Sequence, residues 1–137
     1  MAGRFLQLRR GPRLIRPIRT RGTYVARHGF GYSVFEYADD GLDSELWVYV
    51  ALDASIKFSR LKVRNHSGRP RRLSATGYVA WVLGDLREKS AMHVVTEQDP
   101  VSGALFARNA HAIEFSGHVA FLDCDLPFHG ITCDRTE

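Results

Sequence analysis

A chain of 137 residues that is 45% hydrophobic is one domain's worth of protein and long enough to bury a core. No apolar run approaches the ~20 residues that a membrane-spanning helix needs, so no span is expected. The formal charge of +4 belongs to one end: residues 1–22 hold seven arginines and no acid, which leaves 12 basic against 15 acidic residues in the remainder.

The arginine-rich stretch admits three readings. It resembles an organellar transit peptide, but it lacks serine, and Pro12 and Pro17 break a long amphipathic helix. It suits an arm for nucleic acid or another anionic surface, since arginines neutralise phosphates. The third reading is a disordered leader, or an artefact of where the reading frame opens. It is preferred because no aromatic is interleaved after Phe5 and no nucleic-acid motif follows. Residues 1–22 are thus expected to be a basic leader and residues 23–137 the domain, with no nucleic acid as partner.

From Thr23 onward the periodic segments read as strands. Residues 23–27 form a short opener. In residues 27–37, Gly29 and Gly31 sit one residue apart among aromatic and β-branched neighbours, as in a strand that bulges, bends or meets another backbone closely. Asp39-Asp40-Gly41 turns the chain, and residues 42–52 return as a second long strand. There Leu46, Val48 and Val50 share one face, and Trp47 and Tyr49 the other. Residues 56–65 follow, with a break in period: Ile56 and Phe58 alternate correctly, whereas Leu61 and Val63 have the opposite parity. A bulge near Ser59-Arg60 would return all four to one face. His66-Ser67-Gly68-Arg69-Pro70 is a strong turn signal.

Residues 72–83 read as the longest strand, and residues 84–91 as a loop or single helical turn. Residues 93–97 and 104–108 pair as a hairpin around Asp99-Pro100-Val101-Ser102-Gly103, and residues 118–125 form a further strand. No helix of normal length is expected. Even strand spacing with turns every ten residues or so predicts an all-β, antiparallel sandwich.

Three stretches resemble, in order, motifs of the inverting phosphorylases of glycoside hydrolase family 94, once classed as glycosyltransferase family 36. They are Arg27-His28-Gly29-Phe30-Gly31-Tyr32-Ser33, the strand Leu73-Ser74-Ala75-Thr76-Gly77-Tyr78-Val79-Ala80-Trp81, and the terminal Asp134-Arg135-Thr136-Glu137. The likeness is strongest to the phosphorylase-like portion of cyclic β-1,2-glucan synthases and covers residues 22–137. It departs at Ala80, where the family often has an acidic residue. The resemblance implies part of a large N-terminal super-sandwich, incomplete at both ends, that packs on a helical barrel holding the active site. The implied parent reaction is glycosyl transfer to and from phosphate on β-linked glucans, in an enzyme associated with the bacterial inner membrane. Arg27, His28, Gly29, Gly31 and Tyr32 are the signature residues.

No catalytic constellation emerges from the residues themselves. Inverting phosphorolysis needs a carboxylic acid to protonate the leaving oxygen. Glu36, Glu45, Asp85 and Glu88 are the candidates, yet the family's general acid lies in the barrel, so no catalytic residue is carried over. Ser33 beside His28 and Glu36 lacks a nucleophile elbow. Arg27 and His28 with the amides of residues 29–31 could form a small phosphate nest, against the simpler reading of strand-bend packing. Cys124 and Cys133, near His118 and His129, match no standard zinc spacing, so neither metal nor cofactor is expected and the thiols are read as reduced in a cytoplasmic chain.

Sugar binding is physically better supported, because carbohydrate faces stack on exposed aromatics. A sandwich core uses the same residue types. Trp47 and Tyr49, beside Glu45 and opposite the Val48 face, are the chosen contacts. The expected role is a non-catalytic module that scaffolds, docks on the barrel, contacts β-glucan oligosaccharide and can dimerise. Two alternatives are a free-standing carbohydrate-binding sandwich and a fragment whose open sheet edges recruit a partner or second copy.

Overall fold

The computed structural model describes residues 4–10, 13–14, 22–113 and 117–132, with side chains from Gly22 onward. The chain divides into two compact units, one formed by Leu6–Gly77 and the other by Met1–Phe5 with Tyr78–Glu137. Every strand pair whose register is described is antiparallel.

In the first unit β3 (Thr23–Gly29), β4 (Tyr32–Asp39), β5 (Leu42–Val50) and β6 (Lys57–Asn65) pair in sequence order as a four-stranded meander. Two short turns set its register. Asp40 (φ 49°) and Gly41 (φ 72°) both take positive φ, the conformation whose twist suits a two-residue hairpin, and Leu42 returns opposite Asp39. Phe30 and Gly31 make the other turn, with Gly31 at φ 76° and Gly29 opposite Tyr32. Gly29 therefore ends one strand, and Gly31 lies in the turn before the next. They do not bend a single strand, as the sequence suggested. A β-carbon on Gly29 would collide with the Tyr32 ring, which accounts for the small residue there.

The expected bulge at Ser59-Arg60 is absent. The β5–β6 register runs without interruption from Leu42↔Asn65 to Val50↔Lys57. Leu61 and Val63 thus lie on one face with Leu46 and Val48, while Phe58 lies on the other with Tyr49. Beyond Val50, Ala51 donates its N–H to the carbonyl of Ile56 at 2.9 Å, which closes the turn and holds that register.

The far end of the sheet is tied to the segment after β6. His66 N–H bonds the Gly41 carbonyl at 2.7 Å, and Asn65 Oδ1 accepts from both the N–H and the hydroxyl of Ser67. Arg71, with a side chain only 6% exposed, reaches back to the Asp40 carbonyl at 2.7 Å and to its carboxylate at 3.3 Å.

The second unit contains a three-stranded sheet, β10-β9-β8, built from β8 (Val94–Gln98), β9 (Leu105–Asn109) and β10 (Val119–Leu122). The hairpin around residues 99–103 is as expected. Asp99 caps it, accepting at Oδ2 from the Ser102 N–H (2.7 Å) and hydroxyl (2.6 Å). These bonds hold its carboxyl below the usual carboxylate range. Ala107 is completely buried, with Val94, Ala104, Ser90 and Asn109 nearly so. The single helical turn expected between residues 84 and 91 is α1 (Arg87–Ser90), followed by a 3-10 turn over Ala91–His93.

The strand expected over residues 72–83 is shorter, β7 (Ser74–Val79). The Leu83 carbonyl is taken by the Asn109 side-chain amide at 2.6 Å, a bond outside any strand ladder. Among the described residues, Gly77 has open space where its β-carbon would be. β7 joins β1 (Arg4–Arg10) and β2 (Arg13–Leu14) in a third sheet of order β2-β1-β7. Most of the leader expected over residues 1–22 otherwise lies outside the described residues, as does Cys133.

Candidate functional site

Strand alternation sorts the first unit's sheet into two unlike faces. One carries Leu46, Val48, Leu61 and Val63 together with Phe35, Tyr24 and Tyr37, a largely aliphatic surface suited to a packing layer. The other carries Tyr32, Trp47, Tyr49 and Phe58 toward one end, with the buried Val34 opposite Trp47, and mostly charged residues toward the other. The sequence-chosen pair Trp47 and Tyr49 is thus brought together with the signature residue Tyr32 and with Phe58.

These four rings form a continuous file across three strands. Tyr32 stacks on Trp47 with centroids 5.8 Å apart and planes 22° apart; Tyr49 stacks on Phe58 at 5.1 Å and 25°. Tyr32 and Tyr49 are direct cross-strand partners, which joins the two stacks. Tyr32, Tyr49 and Phe58 remain 44%, 38% and 43% exposed. Rings buried in a core would not leave that much surface to water. The indole N–H of Trp47 donates to Glu45 Oε1 at 2.6 Å, which fixes the ring's orientation beside a carboxylate.

Phe58 is the residue that sequence reasoning missed. The supposed bulge had moved it to the aliphatic side. The available signal was simple alternation counted through an unbroken strand, which sets Phe58 opposite Tyr49.

Past Trp47 the same face becomes polar. A shallow depression of about 260 Å³ is lined there by Val25, Glu36, Asp43, Glu45, Lys62 and Arg64, among others. Arg27 pairs with Glu36 at 2.6 Å, and Asp43 with His66 at 3.2 Å.

Arg27 and His28 point to opposite faces, so they do not converge on a phosphate nest. His28 meets Phe35 edge-on at 5.9 Å, and its Nδ1 lies 2.9 Å from the Ser33 hydroxyl. Glu36 lies on the other face with Arg27, so the Ser33–His28 contact has no carboxylate behind it and makes no triad. Asp85 and Glu88 are exposed in the second unit. His93 and His111 stack there with centroids 4.3 Å apart. Among the described residues no three metal-ligating side chains cluster, and no helix is long and apolar enough to cross a membrane.

The comparisons with known proteins agree with the strand pattern and the signature. The chain is 36% identical over 119 residues to the cyclic β-(1,2)-glucan synthase NdvB of Rhizobium meliloti (strain 1021), an alignment that takes in 87% of this chain and 4% of that protein. The chain therefore spans a small part of its relative's length. The family model for the glycosyl hydrolase 94 supersandwich domain matches residues 13–137, beginning nine residues before Gly22, where the resemblance had been placed. The chain belongs to the glycosyl hydrolase 94 family, as its supersandwich domain.

Proposed function

We propose that this chain is a non-catalytic supersandwich module of a glycoside phosphorylase or cyclic β-1,2-glucan synthase, and that it contacts β-glucan through the Tyr32–Trp47–Tyr49–Phe58 file. The observation that carries the reading is the file itself: four contiguous, partly exposed rings on one face, with polar groups beside them. Sugar rings present C–H faces that pack on aromatic planes and hydroxyl edges that need donors and acceptors. Both are supplied on this face. The aliphatic face gives the module its scaffolding role, packing toward the rest of a larger cytoplasmic enzyme whose helical barrel performs the chemistry.

Titration of the 137-residue chain with β-1,2- and β-1,4-gluco-oligosaccharides, followed by amide chemical shifts, tests the reading. Shifts should cluster on β4, β5 and β6, and Trp47→Ala should weaken binding about tenfold, the effect of losing roughly 1.4 kcal/mol. No glucose 1-phosphate should be released from glucan and phosphate by the pure chain. Absence of glucan binding, or phosphate-dependent turnover, would overturn the proposal.

A further inference from the structure

Beside the aromatic file runs a row of positive charge. Arg60, Lys62 and Arg64 follow Phe58 on the same face of β6, spaced by about 6.8 Å, the two-residue repeat of a strand. All three are exposed, and none of their side chains makes a hydrogen bond or ion pair among the described residues. Lys62 and Arg64 stand directly opposite Glu45 and Asp43. Those carboxylates turn elsewhere, Glu45 to the Trp47 indole and Asp43 to His66. Arg60 lies opposite the uncharged Trp47, with no acid across the ladder.

Cations on an edge strand serve commonly to discourage edge-to-edge pairing. Alternation with Leu61 and Val63 accounts for their sharing a face, but that purpose does not require stacked rings beside them or facing acids already engaged. Resting on the glucan-contact reading above, we infer that the face recognises an anionic glycan: the aromatic file takes a sugar ring, and Arg60, assisted by Lys62 and Arg64, pairs with a carboxylate or phosphate borne by that sugar or its neighbour. A guanidinium is suited to either group, because its planar fork matches two oxygens at once.

The test compares three gluco-oligosaccharides of equal length by calorimetry and amide shifts: neutral, oxidised at one C6 to a glucuronate, and phosphorylated at one C6. Inorganic phosphate alone is the fourth ligand. At least one charged oligosaccharide should bind about tenfold tighter than the neutral one, the usual scale of a charge-assisted hydrogen bond. That advantage should vanish in Arg60→Gln/Lys62→Gln/Arg64→Gln and shrink as salt rises from 50 to 200 mM, while amide shifts on β4 and β5 show the neutral oligosaccharide still stacked on the aromatic file. All three substitutions are on exposed side chains, and an unchanged thermal melt checks the fold. Equal affinity for neutral and charged oligosaccharides overturns this inference and leaves the glucan reading standing. Binding of none of them overturns both. Inorganic phosphate binding as tightly as the phosphorylated oligosaccharide would make the row a simple anion site and overturn the glycan part.

Discussion

At the residue scale, Gly41 shows how one backbone position sets the sheet. It combines φ 72° with a neighbour, Ser67, whose Cα lies 2.9 Å from where a β-carbon would be. Alanine there meets a left-handed conformation and a collision with backbone together. Gly41→Ala should lower stability by about 1–3 kcal/mol, measured by urea denaturation. Gly68→Ala has equal φ strain (69°) but open space around it, so it should cost less. The difference between the two isolates the collision. Asp99 offers a second test. Ser102→Ala removes one of the two bonds from Ser102, so the Asp99 pKa should rise toward the ordinary carboxylate value, read by carboxyl-carbon NMR.

At the element scale, the tie between the β4–β5 turn and the segment after β6 rests on Arg71. Its guanidinium is nearly buried and bonds both the carbonyl and the carboxylate of Asp40. Arg71→Met keeps the apolar stem and removes those bonds, and should cost about 2 kcal/mol. Asp40→Asn leaves the carbonyl bond intact and should cost less. Thermal melts of the two variants check the order. Strand existence was legible along this unit because Asp40-Gly41 and the run of residues 66–70 are unambiguous turns. Register was not. Parity at Leu61 and Val63 conflicts with Phe58 only if one face of β6 must hold every apolar side chain. The sheet instead sets Phe58 with Tyr32, Trp47 and Tyr49 on one face and Leu61 and Val63 with Leu46 and Val48 on the other, so both parities are satisfied. The glycines at 29 and 31 were misread for a related reason: a two-residue turn and a strand bend require the same small residues, and only the pairing partner of Tyr32 distinguishes them. The family signature was legible because its residues cluster in one short run, although alternation sends Arg27 and His28 to opposite faces.

At the scale of the whole molecule, the two units carry different pH sensitivities. Tyr37, in the first unit, has its pKa raised by burial and then by its bond to Asp39. A raised folded-state pKa stabilises below the unfolded tyrosine value, near 10, and that contribution is lost as pH climbs through the folded value. Asp99, in the second unit, has its pKa lowered. Its contribution is present above the unfolded carboxylate value and is lost as pH falls through the folded one. Alkali should therefore loosen β3 to β6 first, and acid the β8–β9 hairpin first. Proton–nitrogen spectra recorded across both limbs check the assignment. The same limb affecting both units together would show that they unfold as one.

Each unit holds a single tryptophan, Trp47 in one and Trp81 in the other. Trp47 gives its indole N–H to a carboxylate and lies over a tyrosine ring, so its excited state is sensitive to whatever lies on that face. The protein is in this sense its own optical probe. With Trp81→Phe, all remaining indole emission reports from the aromatic file, and a stacked ligand that displaces water there should move it to shorter wavelength without any attached dye.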